Sequence, residues 1–387
     1  MKYELASSSW DEKEIQAIQD VIKRDCYTMG NSVKQFEADF AKYTDHKYCV
    51  MVNSGSSANL LAIAALFYKK DNPLKRGDEV IVPAVSWATT YYPLYQYGLH
   101  LKFVDVNLQT LNMDMDALAA AITDKTRLIF AVNLLGNSNE FDRIQKLIAG
   151  KNITLLEDNC ESLGGKYNGK PLGSIGLMGT YSTFFSHHMA TMEGGLIGTD
   201  DEELYHILLS LRSHGWTRHL PKENKLCKKS DNYFEESWRF ILPGYNVRPV
   251  EMMGAIGIEQ LKKLPDFIKH RRENAEYFKE LFSSDERFIL QKEIGESSWF
   301  GFSFLINKNS GLKRQDIINK LTEANIETRP IVAGNFARKE VVNYFDFEIS
   351  GDLKNADYID EQGFFIGNHQ FAIKDKLDWL KKTLETL

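Results

Sequence analysis

The chain has 387 residues, 43% of them hydrophobic and 26% charged, enough apolar material for one large or two ordinary globular domains. Its formal net charge of -6 and the lack of any dense Lys/Arg block argue against a nucleic-acid partner. Four widely spaced cysteines (Cys26, Cys49, Cys160 and Cys227) without a CxxC pair point to neither a disulfide framework nor a close-spaced zinc or iron–sulfur site.

The opening MKYELASSSWDEKE carries no apolar run behind a basic segment, so no secretory signal is expected. The longest apolar stretch, Leu60 to Tyr68, is too short to span a bilayer. A reducing cytoplasm is the expected location, with no membrane partner.

From about residue 45 to 212, short β-branched or apolar runs alternate with helical periodicity, the pattern of an α/β fold with a mostly parallel sheet. The expected strands are Tyr48 to Val52, Glu79 to Val82, Leu101 to Val104, Arg127 to Val132, Ile153 to Glu157 and Tyr181 to Phe185. Helices are expected at Ala58 to Tyr68, which is apolar enough to be buried, and at Phe141 to Ala149. The polar stretch Pro221 to Asp231 and the run Pro243-Gly244-Tyr245-Asn246 read as loops, and a helical pattern resumes at Pro249. The expected division is a large α/β domain over residues 1–250 and a smaller α/β domain over 251–387, with a strand at Phe300 to Ile306.

Three strand ends carry candidate chemistry. In Asn53-Ser54-Gly55-Ser56-Ser57-Ala58, a strand passes through a small-residue turn into a helix. The free N–H groups of such a helix start attract an anion, and Gly55 would let a phosphate approach; taken alone, such a turn is more often simple punctuation. Asp158 closes the run before Asn159-Cys160-Glu161, at the strand end where ligands of parallel sheets bind, although an N-cap is the plainer reading. Trp87 follows a third strand and could stack on a flat ring or simply pack.

The stretch Thr183-Phe184-Phe185-Ser186-His187-His188-Met189-Ala190-Thr191-Met192-Glu193-Gly194-Gly195 breaks the tie. With the SGSSAN turn and the EDNCES strand end, it resembles the DegT-type sugar aminotransferases, fold-type I enzymes of the aspartate aminotransferase kind that use pyridoxal 5'-phosphate. The family's cofactor-binding lysine lies six residues before the glutamate of EGG. Here that position is His187, and no lysine occurs between Lys170 and Lys222. Adjacent residues of an extended segment face opposite ways, so His187 and His188 are not expected to share a metal ion.

The resemblance to a lysine-less dehydratase branch of that family spans essentially the whole chain, through LASSSWDEKE, VPAVSWATTYYPLYQYGL, SHHMATMEGG, RSHGWTR, LPGYNVRP and ESSWFGFSF. It implies a nucleotide-sugar substrate, GDP-linked 4-keto-6-deoxy-D-mannose, that loses its C3 hydroxyl. It also implies pyridoxamine 5'-phosphate as the working cofactor form and L-glutamate as the amino donor. Imidazole cannot tether the cofactor but can move protons near neutral pH, so His187 is the implied acid/base, with His214 a second polar candidate. The implied cofactor residues are Gly55, Ser56 and Ser57 in the phosphate turn, Trp87 stacking, Asp158 at the pyridine nitrogen and Ser182 at the phosphate. Asn246 would come from the partner subunit of a homodimer. A radical branch of related dehydratases needs four clustered cysteines, which this chain lacks. The alternatives are a nucleotide-sugar 4-aminotransferase and a non-catalytic regulatory protein of the same fold.

Overall fold

The computed structural model describes residues 1–387. In chain order the strands of its two main sheets are β1 Tyr48–Val52, β2 Glu79–Pro83, β3 His100–Val104, β4 Thr126–Val132, β5 Thr154–Asp158, β6 Met178–Ser182, β7 Gly195–Thr199, β8 Phe288–Leu290, β9 Gly301–Ile306, β10 Thr328–Arg329, β11 Phe347–Ile349 and β12 Gly363–Gly367. The large sheet runs β1-β7-β6-β5-β4-β2-β3-β11, and the small antiparallel sheet β8-β9-β12-β10.

From β6 to β11 every neighbouring pair of the large sheet is parallel. Strands such as EVIVP and TRLIFAV are buried along nearly their whole length and apolar beyond their first one or two residues, because both faces are covered. Strand β7 is antiparallel to both β6 and β1, so β1 runs in the same sense as the parallel set. Two reversals thus bring the carboxyl ends of β1, β2, β5 and β6 to one edge of the sheet, where an α/β fold binds its ligand.

The expected strands and buried helix form, with shifts at their ends. Helix α1, Gly55–Tyr68, begins three residues before the expected Ala58 because the Ser54 hydroxyl caps it, accepting the Ser57 N–H at 3.1 Å. The sixth strand is Met178–Ser182 rather than Tyr181–Phe185. Its partner strand ends at the Ser182–Gly195 pair, after which the chain leaves as a loop with Phe184 and Phe185 exposed. Apolar character alone extended the expected strand into this loop.

Helix α2, Ala88–Gln96, follows Trp87, and the 32-residue α3, Glu251–Phe282, links the two sheets. From α3, Arg271 Nη1 donates to the carbonyls of Asn368, at 2.9 Å, and Phe300, at 3.1 Å, fixing the helix to the ends of β12 and β9. The Phe300 N–H in turn reaches the Leu135 carbonyl after β4, at 3.1 Å, so the small sheet's first residues sit against the ligand edge of the large one. Strand β11 returns from the C-terminal third to the edge of the large sheet, while Tyr3 packs in the small sheet's core. No helix is long and apolar enough to cross a membrane.

Candidate active site

At the shared strand edge lies a pocket of about 290 Å³ lined by Gly55, Ser56, Trp87, Asp158, Ser182 and His187, six of the nine residues singled out from sequence. At one side, the N–H groups of Gly55 and Ser56 open α1 and have no intrahelical acceptor. Gly55 is required there: a Cβ would stand 2.7 Å from Ser182 Cβ and fill the cradle. Opposing the cradle, the Ser182 hydroxyl accepts the Phe184 N–H at 3.3 Å and keeps its own proton to give.

Asp158 is 5% exposed, and three donors hold it. Its Oδ2 accepts from Asn59 Nδ2 and from the Thr90 hydroxyl, each at 2.8 Å, and its Oδ1 from the Cys160 N–H at 3.1 Å. Thr180 donates to Asn59 at 2.6 Å, and Ser86 bonds Thr90 at 2.8 Å, so the carboxylate's orientation is set by residues of α1, α2, β6 and the turns after β2 and β5. Trp87 makes no side-chain cap to α2 and leaves its indole 51% exposed beside this carboxylate.

His187 and His188 lie in a turn closed by the His187 N–H to the Phe184 carbonyl, 2.9 Å, not on an extended segment as expected. Strand alternation is therefore not what separates them. Both rings pack against Phe300, at 5.2 and 5.6 Å between centroids, and His188 turns inward to the Ser298 carbonyl, at 3.2 Å. Neither ring nitrogen of His187 has a protein partner, and its Nδ1 is enclosed. Burial, then the charges of Arg271 and Arg329, push this imidazole down to about 3, so it is neutral and able to accept a proton at physiological pH. No group of three or more His, Cys, Asp or Glu is arranged to hold a metal ion.

Three named residues stand elsewhere. The Ser57 hydroxyl donates to Asn53 Oδ1 at 2.7 Å and supports the turn. His214, with φ +60, packs edge-on to Trp216, and its N–H reaches the Tyr245 carbonyl at 2.6 Å. Asn246 is exposed on the neighbouring strip, bridged to Ser213 and accepting from Arg248 Nε at 3.0 Å.

The pocket also holds Glu161, Phe300 and Arg329, which sequence reasoning did not assign to it. Glu161 stood in the EDNCES motif but only as its tail. Arg329 and Phe300 arrive from the small sheet, and no local pattern around them signals a site.

The chain is 60% identical over 379 residues to GDP-4-keto-6-deoxy-D-mannose 3-dehydratase of Yersinia pseudotuberculosis, covering 97% of this chain and 96% of that one. It superposes with a TM-score of 0.98 on the Escherichia coli GDP-4-keto-6-deoxy-D-mannose 3-dehydratase with bound hydrated pyridoxal phosphate, at 58% identity and 99% coverage of both chains. A solved GDP-4-keto-6-deoxymannose 3-dehydratase with a trapped pyridoxal phosphate–glutamate geminal diamine matches equally, with a TM-score of 0.98 and 58% identity over 99% of this chain and all of that one. The architecture is accordingly the aminotransferase-like fold of type I, as expected from the sequence. A family profile fits residues 8–378, and the chain belongs to the DegT/DnrJ/EryC1/StrS aminotransferase family.

Proposed function

We propose that the protein is a dehydratase dependent on pyridoxal and pyridoxamine phosphate that removes the C3 hydroxyl of GDP-4-keto-6-deoxy-D-mannose, leaving a 4-keto-3,6-dideoxy sugar, with L-glutamate restoring the amine form. The observation that carries the reading is the unpartnered His187 in a cofactor-shaped pocket without a lysine. The pocket fits the cofactor: a cradle that a Cβ at Gly55 would close suits the phosphate, and a buried carboxylate fixed by three donors suits a protonated pyridine nitrogen.

When bound, pyridoxamine phosphate supplies an amine that condenses with a ketone and a ring that accepts electrons. The chain's residues do the rest. Ser56, Ser182 and the α1 N–H groups hold the phosphate, Trp87 covers the ring, and Asp158 keeps the pyridine nitrogen charged. His187, neutral and unbonded, would move a proton at the cofactor's methylene carbon. Without a lysine amine in the pocket, nothing in the protein displaces the sugar as an amino sugar.

Asn246 is placed by this reading in the pocket of a second copy, as part of a homodimer. Supporting this, Asn246 is exposed, as are Val250, four residues on, and Tyr27, whose carbonyl accepts the Glu251 N–H at 3.0 Å. His214 belongs to that strip rather than to the pocket of its own chain. Four free cysteines fit a cytoplasmic enzyme.

The test is incubation of purified protein with pyridoxal phosphate, L-glutamate and GDP-4-keto-6-deoxy-D-mannose, following ammonia and product mass. Loss of the C3 oxygen with glutamate-dependent ammonia release is the expected result. A stable 4-amino sugar would refute the dehydratase reading, and no turnover would refute catalysis on this sugar.

A further inference from the structure

A second cavity, of about 570 Å³, lies on the outer side of β1, the edge strand of the large sheet. Its walls come from the helix Asn31–Tyr43, from Lys47, Tyr48 and Cys49 around the start of β1, from the helix Glu202–Leu211 and from the loop that follows it. It shares no lining residue with the pocket that holds His187, and it sits toward the opposite end of β1 from the cradle at Gly55.

In a chain of net charge -6, this cavity gathers cations. Lys34, Lys47 and Arg212 line it, and Arg218 and Arg248 stand close enough to act on His219 in its wall. Of these five only Arg212 has an ion-pair partner, Glu37. Glu37 is the one carboxylate on the walls, and its Oε1 accepts both the Arg212 guanidinium and the Met51 N–H. The carboxylates next to the cavity are spent as well: Glu251 accepts the N–H groups of Gly30 and Ser32, at 2.7 and 2.6 Å, and Asp200 that of Lys47, at 2.8 Å. Like charges repel, so a cluster of this kind destabilises the fold unless an anion answers it.

Two polar groups in the walls lack a partner within the chain. Arg212 is 3% exposed; its Nη1 donates to the Met51 carbonyl at 2.7 Å, while its enclosed Nε has no acceptor. His219 Nε2 is enclosed and unpartnered too. Burial, then the charges of Arg212, Arg248, Arg218 and Lys34, push the His219 imidazole down to about 4, so it meets the cavity as a neutral ring with one N–H to give. Leaving such groups unbonded costs free energy that a bound acceptor would recover. The cavity is too large for a monatomic ion, and its unpaired cations answer more than one negative charge. A guanidinium, two ammonium groups and an imidazole together suit an anion with several oxygens, the chemistry of a phosphoryl group.

We propose that this cavity is a second phosphoryl-anion site, separate from the cofactor's cradle, in which Lys34, Lys47, Arg212 and His219 hold the anion. Arg212 anchors it from the floor, because its Nη1 is fixed on the Met51 carbonyl and on Glu37 and its Nε remains to be used. The two lysines close on it from the helix Asn31–Tyr43 and from the start of β1. The inference stands whether or not the protein is a dehydratase, since no residue of the catalytic pocket enters it.

The experiment uses the protein loaded with pyridoxal phosphate, so that the cradle at Gly55 is filled and added inorganic phosphate reports on another site. Equilibrium dialysis with radiolabelled inorganic phosphate, at constant ionic strength, should find one phosphate bound per chain, and phosphate should raise Tm. The double variant Lys34→Gln, Lys47→Gln removes two exposed, unpaired cations and leaves the Arg212–Glu37 pair intact. It should bind phosphate at least about tenfold more weakly, with its Tm in phosphate-free buffer unchanged. Unlabelled GDP then separates the sources: displacement of the labelled phosphate identifies the diphosphate of a nucleotide as the natural occupant, and phosphate retained against GDP identifies free phosphate. No phosphate bound at millimolar concentration would overturn the proposal, the result expected if a partner subunit's carboxylate fills the cavity. Binding that survives the double variant would overturn it too, by placing the phosphate elsewhere.

Discussion

Replacing Asp158 by Asn separates the two jobs assigned to that carboxyl. The side chain now serves three donors: Asn59 Nδ2 and the Thr90 hydroxyl at Oδ2, and the Cys160 N–H at Oδ1. An asparagine has one acceptor oxygen and one amide. Set where Oδ2 was, the oxygen keeps Asn59 and Thr90 and turns the amide against the Cys160 N–H, donor to donor. The opposite rotamer loses two bonds in place of one, and Thr90 could then turn to Ser86 but Asn59 could not. The first rotamer therefore wins, and the cost to the fold is one orphaned N–H, about 1–3 kcal/mol. Over 387 residues, with an unfolding entropy of about 2.1 cal/mol/K per residue, this lowers Tm by about 1–4 °C.

The catalytic cost is larger. The variant keeps the shape of the site but removes the anion facing the pyridine nitrogen, and loss of one preorganised electrostatic partner costs about 10²–10³-fold in kcat. The assay pairs Tm of the cofactor-free chain by calorimetry with kcat at saturating cofactor and sugar nucleotide. A wild-type kcat in Asp158→Asn at full cofactor occupancy would show that Asp158 does not face the ring. A collapse of the fold would show that the hydrogen-bond count above misjudges the network.

His187→Asn should lower kcat by about 10²–10⁴-fold while cofactor binding persists, since the cradle and Asp158 do not involve the imidazole; full activity would refute its role in proton transfer. His187→Lys should tether the cofactor covalently, seen as a mass increase after borohydride reduction, and no adduct would show the position to be misplaced. Gly55→Ala should raise the cofactor Kd sharply and also lower the Tm of the cofactor-free chain, because the new methyl would stand 2.7 Å from Ser182 Cβ and 3.1 Å from Cys160 Sγ, so the buried strand end must shift; a wild-type Kd would show that the cofactor does not sit at this turn. Acid should destabilise the protein between about pH 6.5 and 4. Burial, the largest cause in each case, depresses His188 and takes His219 and His369 to about 4. In that window the unfolded chain binds more protons than the folded one, so stability present above the ordinary histidine range is lost as pH falls. A Tm that stays level from pH 7 to 4.5 would contradict this.

The fold was legible because its strands are buried on both faces and therefore continuous in apolar residues, as Val80 to Val82 and Leu128 to Val132 are. What blurred was where each element stops. Burial of Tyr181 and exposure of Phe185 look alike in one-dimensional hydrophobicity, and only pairing with β7 ends the strand at Ser182. Gly55, Asp158 and Trp87 were legible for the opposite reason: each sits at the carboxyl end of a strand or within four residues after it, where the chain must turn and the parallel topology makes a site.

Phe300 and Arg329 were not legible, because what brings them to the pocket is long-range, whereas Glu161 stood inside the EDNCES motif with nothing local to tell it from a solvated turn residue. Phe300 is placed by its N–H on Leu135 and by Arg271 from α3, and Arg329 by the pairing of β10 with β12. This also bears on why the missing lysine does not signal a dead site. A pocket that had merely lost its tether would have no reason to keep both an open cradle at Gly55 and a buried Asp158 fixed by three donors, yet both stand intact beside His187.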